Sequence, residues 1–164
     1  MGLEQAGPGP EAPRRHHRED RREVSRGADA ADGLADERHG LAAMRVAEAL
    51  RQALTAGQTM ADVGIATSIG VRVPDVAWCS AQYLASHPED MPLTSAPEIC
   101  VDIASVSNAL PKLREKARAY VNVNAGVIEA WLICVHDRRI EIHDRDGRRE
   151  ASSFPADLTA VFQS

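Results

Sequence analysis

Several things are scarce in this 164-residue chain, and each scarcity narrows what it can do. No apolar run approaches the ~18 residues of a membrane span, and the N-terminus is charged and rich in Pro and Gly where a signal peptide would have an apolar core. A soluble, cytoplasmic protein with no membrane partner is expected. The three cysteines, Cys79, Cys100 and Cys134, sit in apolar strand-like runs without CxxC spacing. That argues against zinc or disulfide roles and for small buried hydrophobes in a reducing compartment. Positive charge is short as well: the net charge of −5 speaks against avidity for nucleic acid over the whole surface, although it leaves room for a local basic groove. Sizeable apolar side chains are missing from Met1 to about Asp32, where Leu3 and Val24 stand nearly alone. Such a stretch cannot bury enough surface to offset chain entropy. Residues 1–35 are expected to be a disordered charged tail, followed by one folded domain over residues 36–164.

What is present is organised around Pro97 to Ser107, PEICVDIASVS. Ile99, Val101 and Ile103 alternate with Glu98, Cys100 and Asp102, the pattern of a strand. Asp102 then sits mid-strand among apolar neighbours, where a carboxylate is costly unless paired or holding a cation. One run earlier, VRVPDVAW places a second acid, Asp75, in another β-branched stretch. Pro74 cannot donate to a sheet ladder, so this strand should start there, lie at an edge or carry a bulge that re-aims Asp75. Lys116 comes one segment later, in LPKLREKARAYVNV. Here Leu110, Leu113, Ala117, Tyr120 and Val121 form the apolar face of a helix over about Ala109 to Asn124, and Ser105 to Asn108 offer capping chemistry. Lys116 flanks that face, within reach of the end of the preceding strand. Two acids on neighbouring strands with a lysine beside them suit a metal-dependent, phosphodiester-cleaving centre; the bland alternatives are a strand-end acid in solvent and a solvated lysine.

The remaining elements frame this group. Leu41, Met44, Val46, Ala47, Leu50 and Leu54 recur at helical spacing, with Asp36 as the cap and Gly57 as the stop. His39, at the start of this helix, is by default a solvated imidazole. MADVGIAT and VRVPDVAWC read as strands joined by a turn at Ser68-Ile69-Gly70, and Ala81 to Ser86 as a short helix before a Pro-rich loop. His87 and Asp90 in that region look like solvated loop residues. Gly126 to Val135 is a continuous apolar run that suits a central strand, and RIEIHD follows as its hairpin partner, with Ile140 and Ile142 facing the core. His136 and His143 flank that hairpin without a third ligand nearby, which favours structural or solvent roles. A short closing helix is expected from Phe154 to Phe162. The basic clusters, Lys112 to Arg118 and Arg138 to Arg149, read equally well as solvated faces or as a local groove.

In this order and spacing, RVPDVAW, APEICVDIASVSN, KLREKARAYVNVNAGVIEAWLI and RRIEIHDRDGR make the chain from about Arg38 to Phe162 resemble the Uma-type restriction endonucleases of the PD-(D/E)XK nuclease superfamily. The resemblance implies an α/β fold with a restriction-endonuclease-like core, a mixed central sheet flanked by helices in the order αβββαβ. It also implies a metal-dependent DNA endonuclease. Asp75 matches the PD acid, Asp102 stands where the family usually has glutamate, and Lys116 matches a family lysine on the helix after the third strand. Ala104 occupies the superfamily's usual lysine position, Val106 replaces a common proline, and the family's N-terminal hairpin has no counterpart. The implied cofactor is Mg²⁺ or Mn²⁺, held by Asp75, Asp102 and the main-chain carbonyl of Ile103, with Lys116 acting on the attacking water or the phosphate. A two-fold dimer is the natural expectation for cutting both strands. The rival expectations are a catalytically impaired descendant that binds DNA or a protein, and a reading frame whose true start lies upstream of Met1.

Overall fold

A computed structural model of the chain describes residues 30–87, 92–104, 109–123 and 129–163, with side chains from residue 37 onward. Helix α1 spans Ala30–Ala53 and is followed by strands β1 (Gly57–Met60), β2 (Ile65–Thr67), β3 (Gly70–Arg72) and β4 (Val76–Ser80). Helix α2 (Ala81–Ser86), strand β5 (Ile99–Ala104), helix α3 (Leu110–Val121) and strands β6 (Glu129–Cys134), β7 (Arg139–Asp144) and β8 (Gly147–Arg149) complete the order, with a 3-10 turn at Thr159–Phe162. Six strands form one sheet in the order β1-β4-β5-β6-β7-β8, while β2 and β3 make a separate hairpin. Within the large sheet only β5 and β6 run parallel, and α3 is the crossover that joins them. This is the mixed sheet between helices that the sequence pattern and the family resemblance implied.

Alternation along the central strands divides the core in two. Cys100, Ala104, Leu132 and Cys134 pack with Leu110, Ala117 and Tyr120 of α3 on one face. Ile99, Val101, Ile103, Trp131 and Ile133 pack with Ala42, Val46 and Leu50 of α1 on the other, where Leu158 and Val161 close the edge. With both faces covered, β5 and β6 are buried at every position, which is why their sequences read as near-continuous apolar runs. Full burial of a side chain such as Trp131 is worth roughly 1.5–3 kcal/mol, so these two strands anchor the domain. All three cysteines are buried and free, as their apolar surroundings suggested. Among the described residues no helix is long and apolar enough to cross a membrane.

Several elements differ from expectation. Helix α1 begins at Ala30, ahead of the cap expected at Asp36, so Asp36 lies within the helix instead of capping it. Gly57 opens β1 rather than stopping α1, since a Cβ there would lie 2.2 Å from the Cys79 carbonyl oxygen and 2.5 Å from the Trp78 ring. The run VRVPDVAW is not one strand: β3 belongs to the hairpin, β4 to the large sheet, and Val73-Pro74-Asp75 is the corner between them. The turn expected at Ser68 to Gly70 does connect β2 to β3. At the C-terminus the closing helix shrinks to the 3-10 turn Thr159–Phe162, and β8 was not anticipated. The capping run Ser105 to Asn108, Asp90, and residues 124–128 ahead of β6 lie outside the described residues.

Candidate active site

The corner before β4 is where the chemistry collects. Asp75 donates its backbone N–H to the Val101 carbonyl at 2.9 Å, yet Val101 is already the register partner of Val76. Two successive residues thus share one partner, the signature of a bulge, and Pro74, with no N–H of its own, ends the ladder at this point. The irregularity turns the Asp75 carboxylate toward β5, where its Oδ2 accepts the Ile103 N–H at 2.7 Å. In an extended strand the N–H and C=O of one residue face the same edge, so the Ile103 carbonyl also looks toward this corner. From α1, His39 Nε2 reaches the same Asp75 oxygen at 3.1 Å.

Asp102 enters from β5, on the face covered by α3, with only 2 % of its side chain exposed. Lys116 meets it there, its Nζ 2.5 Å from Asp102 Oδ1 and 2.7 Å from the Val73 carbonyl, so the ammonium ties α3 to both β5 and the corner. The two acids are close enough to feel each other. Burial pushes the Asp102 carboxyl up to about 6, the Lys116 ammonium opposes that rise, and the Asp75 charge adds to it. Tyr120, one helical turn beyond Lys116, has its ring centroid 5.8 Å from the ammonium. It is completely buried, and its hydroxyl has no hydrogen-bond partner among the described residues.

Asp75 and Ile103 are joined by one hydrogen bond and Asp102 and Lys116 by another, on adjacent residues of β5 at one end of the sheet. Two residues were undervalued. His39 reads from sequence as a solvated imidazole, and nothing local announces a partner 36 positions away. Tyr120 reads as part of an apolar face, which its ring is; its hydroxyl is not. His143 takes the structural role expected of it, 3.3 Å from Glu141. The basic clusters are in part committed elsewhere: Arg114 and Arg139 bind Glu141, and Arg149 binds Asp144.

Does this donor set suit a divalent cation? Among the described residues no group of three or more His, Cys, Asp or Glu side chains is placed to hold one alone, which rules these residues out as a zinc-type cage. A Mg²⁺-like ion asks for less, because it keeps several waters and is commonly held by one or two carboxylates together with substrate phosphate. Asp75 and Asp102 supply hard oxygens at the corner. The residues fit such an ion.

Comparison with known proteins agrees with the geometry. No curated protein matches the chain. Among solved structures, the crystal structure of "a putative nuclease belonging to DUF820" from Anabaena variabilis superposes with a TM-score of 0.52 at 13 % identity, covering 76 % of this chain and 80 % of that one. At that identity the likeness is one of fold. The sequence profile of the Uma2 family, described as "Putative restriction endonuclease", matches residues 14–162. A match over nearly the whole chain, joined to a nuclease-like fold, places this protein in the Uma2 family.

Proposed function

We propose that this chain is a divalent-metal-dependent endonuclease that hydrolyses phosphodiester bonds in DNA, with Asp75, Asp102 and the Ile103 carbonyl holding Mg²⁺ or Mn²⁺ and Lys116 as the catalytic cation. The observation that carries the reading is the meeting of Asp75, Asp102 and Lys116, which come from a strand corner, a central strand and a helix. A divalent ion bound there supplies Lewis-acid polarisation of the scissile phosphate and an acidified water.

The chain's own groups account for the rest. Asp75 is fixed through Oδ2 by the Ile103 N–H and by His39, which leaves its other oxygen for the cation. Lys116 has three N–H donors; Asp102 and the Val73 carbonyl engage two, and a phosphate oxygen can take the third. With 20 % of its side chain exposed, Lys116 is reachable by substrate yet shielded enough to act strongly on developing charge. A groove whose lining mixes Arg38, Arg45, His136 and Arg138 with Leu41, Val135 and Phe162 offers cations to the phosphates of a DNA strand. In this reading residues 36–164 are the nuclease domain and residues 1–35 a charged tail that runs into the start of α1. The protein works in the cytoplasm, and a two-fold dimer would present a second centre to the opposite strand.

Conversion of supercoiled plasmid to nicked and linear forms tests the proposal. Wild-type protein should act with Mg²⁺ or Mn²⁺ and stop when the ion is chelated, while Asp75→Ala and Lys116→Ala should be inactive. Wild-type rates in both variants would remove the assignment. A protein that neither cleaves DNA nor takes up Mg²⁺ in a calorimetric titration would instead be a DNA- or protein-binding module on a nuclease scaffold.

A further inference from the structure

Buried hydroxyls almost always have a partner, because removing one from water without replacing its hydrogen bond is unfavourable. Tyr120 departs from this rule: its side chain is wholly buried, and its Oη finds no acceptor or donor among the described residues. Tyr83, on the same side of the sheet, shows the usual solution, with its hydroxyl donating to the Ser95 carbonyl at 2.7 Å. The surroundings of Tyr120 are not apolar either. Lys116, which bonds Asp102, holds its Nζ 5.8 Å from the centre of the Tyr120 ring; burial foremost, then the Asp102 and Asp75 charges, hold the phenol in its protonated form, with Arg72 opposing. An unpaired buried donor on the side chain that packs against the Lys116–Asp102 pair has the makings of a water site, since a buried water typically gathers about three polar partners.

We propose that Tyr120 is a positioning residue whose hydroxyl donates to a water shared with the Asp102 carboxylate, and that this water belongs to the hydration shell of the cation when the site is loaded. The second half rests on the metal-dependent reading above; the first does not. A water held in this way would be oriented by a rigid phenol on one side and by the acid pair on the other. Groups that order a metal's outer shell in this manner typically change metal affinity by about 10- to 100-fold when removed. A Tyr120 that only fills space would lose nothing on becoming Phe, and would shed an unsatisfied polar atom.

Two measurements on the full chain decide the matter. A crystal structure of the metal-free protein should show an ordered water within hydrogen-bond distance of both Tyr120 Oη and an Asp102 oxygen. A dry hydroxyl, or one bonded to a protein acceptor, would overturn the proposal whatever becomes of the metal. Calorimetric titration of Mg²⁺ into Tyr120→Phe should show binding weakened at least tenfold, while a single cooperative metal-free melting transition shows that the variant is still folded. Equal affinity in the two proteins would show that the hydroxyl takes no part in the shell. Should wild-type protein bind no ion at all, the reading of the site as a metal centre fails, and the crystallographic water alone decides the role of Tyr120.

Discussion

Two acids lie on the same face of the sheet, under the same helix, and are treated in opposite ways. Asp102 on β5 and Glu141 on β7 both register with Leu132 of β6, one on each side, and both are buried beneath α3. Glu141 is fully engaged: Arg114 bonds both of its oxygens, at 2.7 and 2.8 Å, and Arg139 and His143 add further contacts. Those contacts, that with Arg114 foremost, hold its carboxyl down at about 2. Asp102 has one ammonium and a like-charged neighbour, and burial lifts it to about 6. A carboxylate whose partners outweigh its burial is a structural tie. One left in deficit is a place where a cation gains most.

The largest test of this contrast is functional. Asp102→Ala and Lys116→Ala should each lower Mg²⁺-dependent cleavage by at least a hundredfold, about 3 kcal/mol of barrier, in a plasmid-nicking assay. Glu141→Gln should leave Mg²⁺ affinity unchanged in calorimetry, because its partners lie away from the corner. Its cost falls on the fold: up to about 3 kcal/mol in urea denaturation, reduced from the full price of breaking a buried pair because Arg114 and Arg139 are partly in water. A Glu141 variant that folds normally but loses metal would erase the distinction.

Next comes pH. Asp102 has a folded value of about 6 against 3.8 unfolded, so the folded state holds the extra proton between these values. Its contribution to stability is complete below 3.8 and is lost as pH rises through 6, amounting to at most roughly 3 kcal/mol at about 1.4 kcal/mol per unit. Glu141 behaves oppositely: its contribution is present above 4.5 and is lost as pH falls through about 2. Metal-free protein should therefore gain stability between pH 7 and pH 5, measured as a rise in urea midpoint, and Asp102→Asn should flatten that slope. A wild-type slope that survives in Asp102→Asn would assign the proton elsewhere. The smallest effect expected is that of His39→Gln, about tenfold in Mg²⁺ affinity, since His39 acts only by holding Asp75. A loss as large as that of Asp102→Ala would make the imidazole a ligand in its own right.

The central strands, the crossover helix and the nearness of Lys116 to Asp102 were legible because each leaves a local trace: a β-branched run, an apolar stripe at helical spacing, a lysine on its flank. What escaped was long-range. Glu141 sits between Ile140 and Ile142, and alternation therefore sends it outward; only the placement of α3 over that second face turns outward into buried. His39 stands in a charged stretch that looks like a solvated helix start, and its partner is across the fold. The Pro74 corner was half legible, since proline announces an interruption but not that the chain passes from one sheet to another.

The row Asp102, Leu132, Glu141 runs across three adjacent strands, so the two acids are separated by two strand spacings, roughly 10 Å. Leu132 carries no hydrogen-bonding group on its side chain, so it keeps the bonds of one acid separate from those of the other. Each can be altered without removing a hydrogen-bond partner from the other, since Lys116 serves Asp102 while Arg114, Arg139 and His143 serve Glu141. A polar residue in place of that leucine would wire the two circuits together.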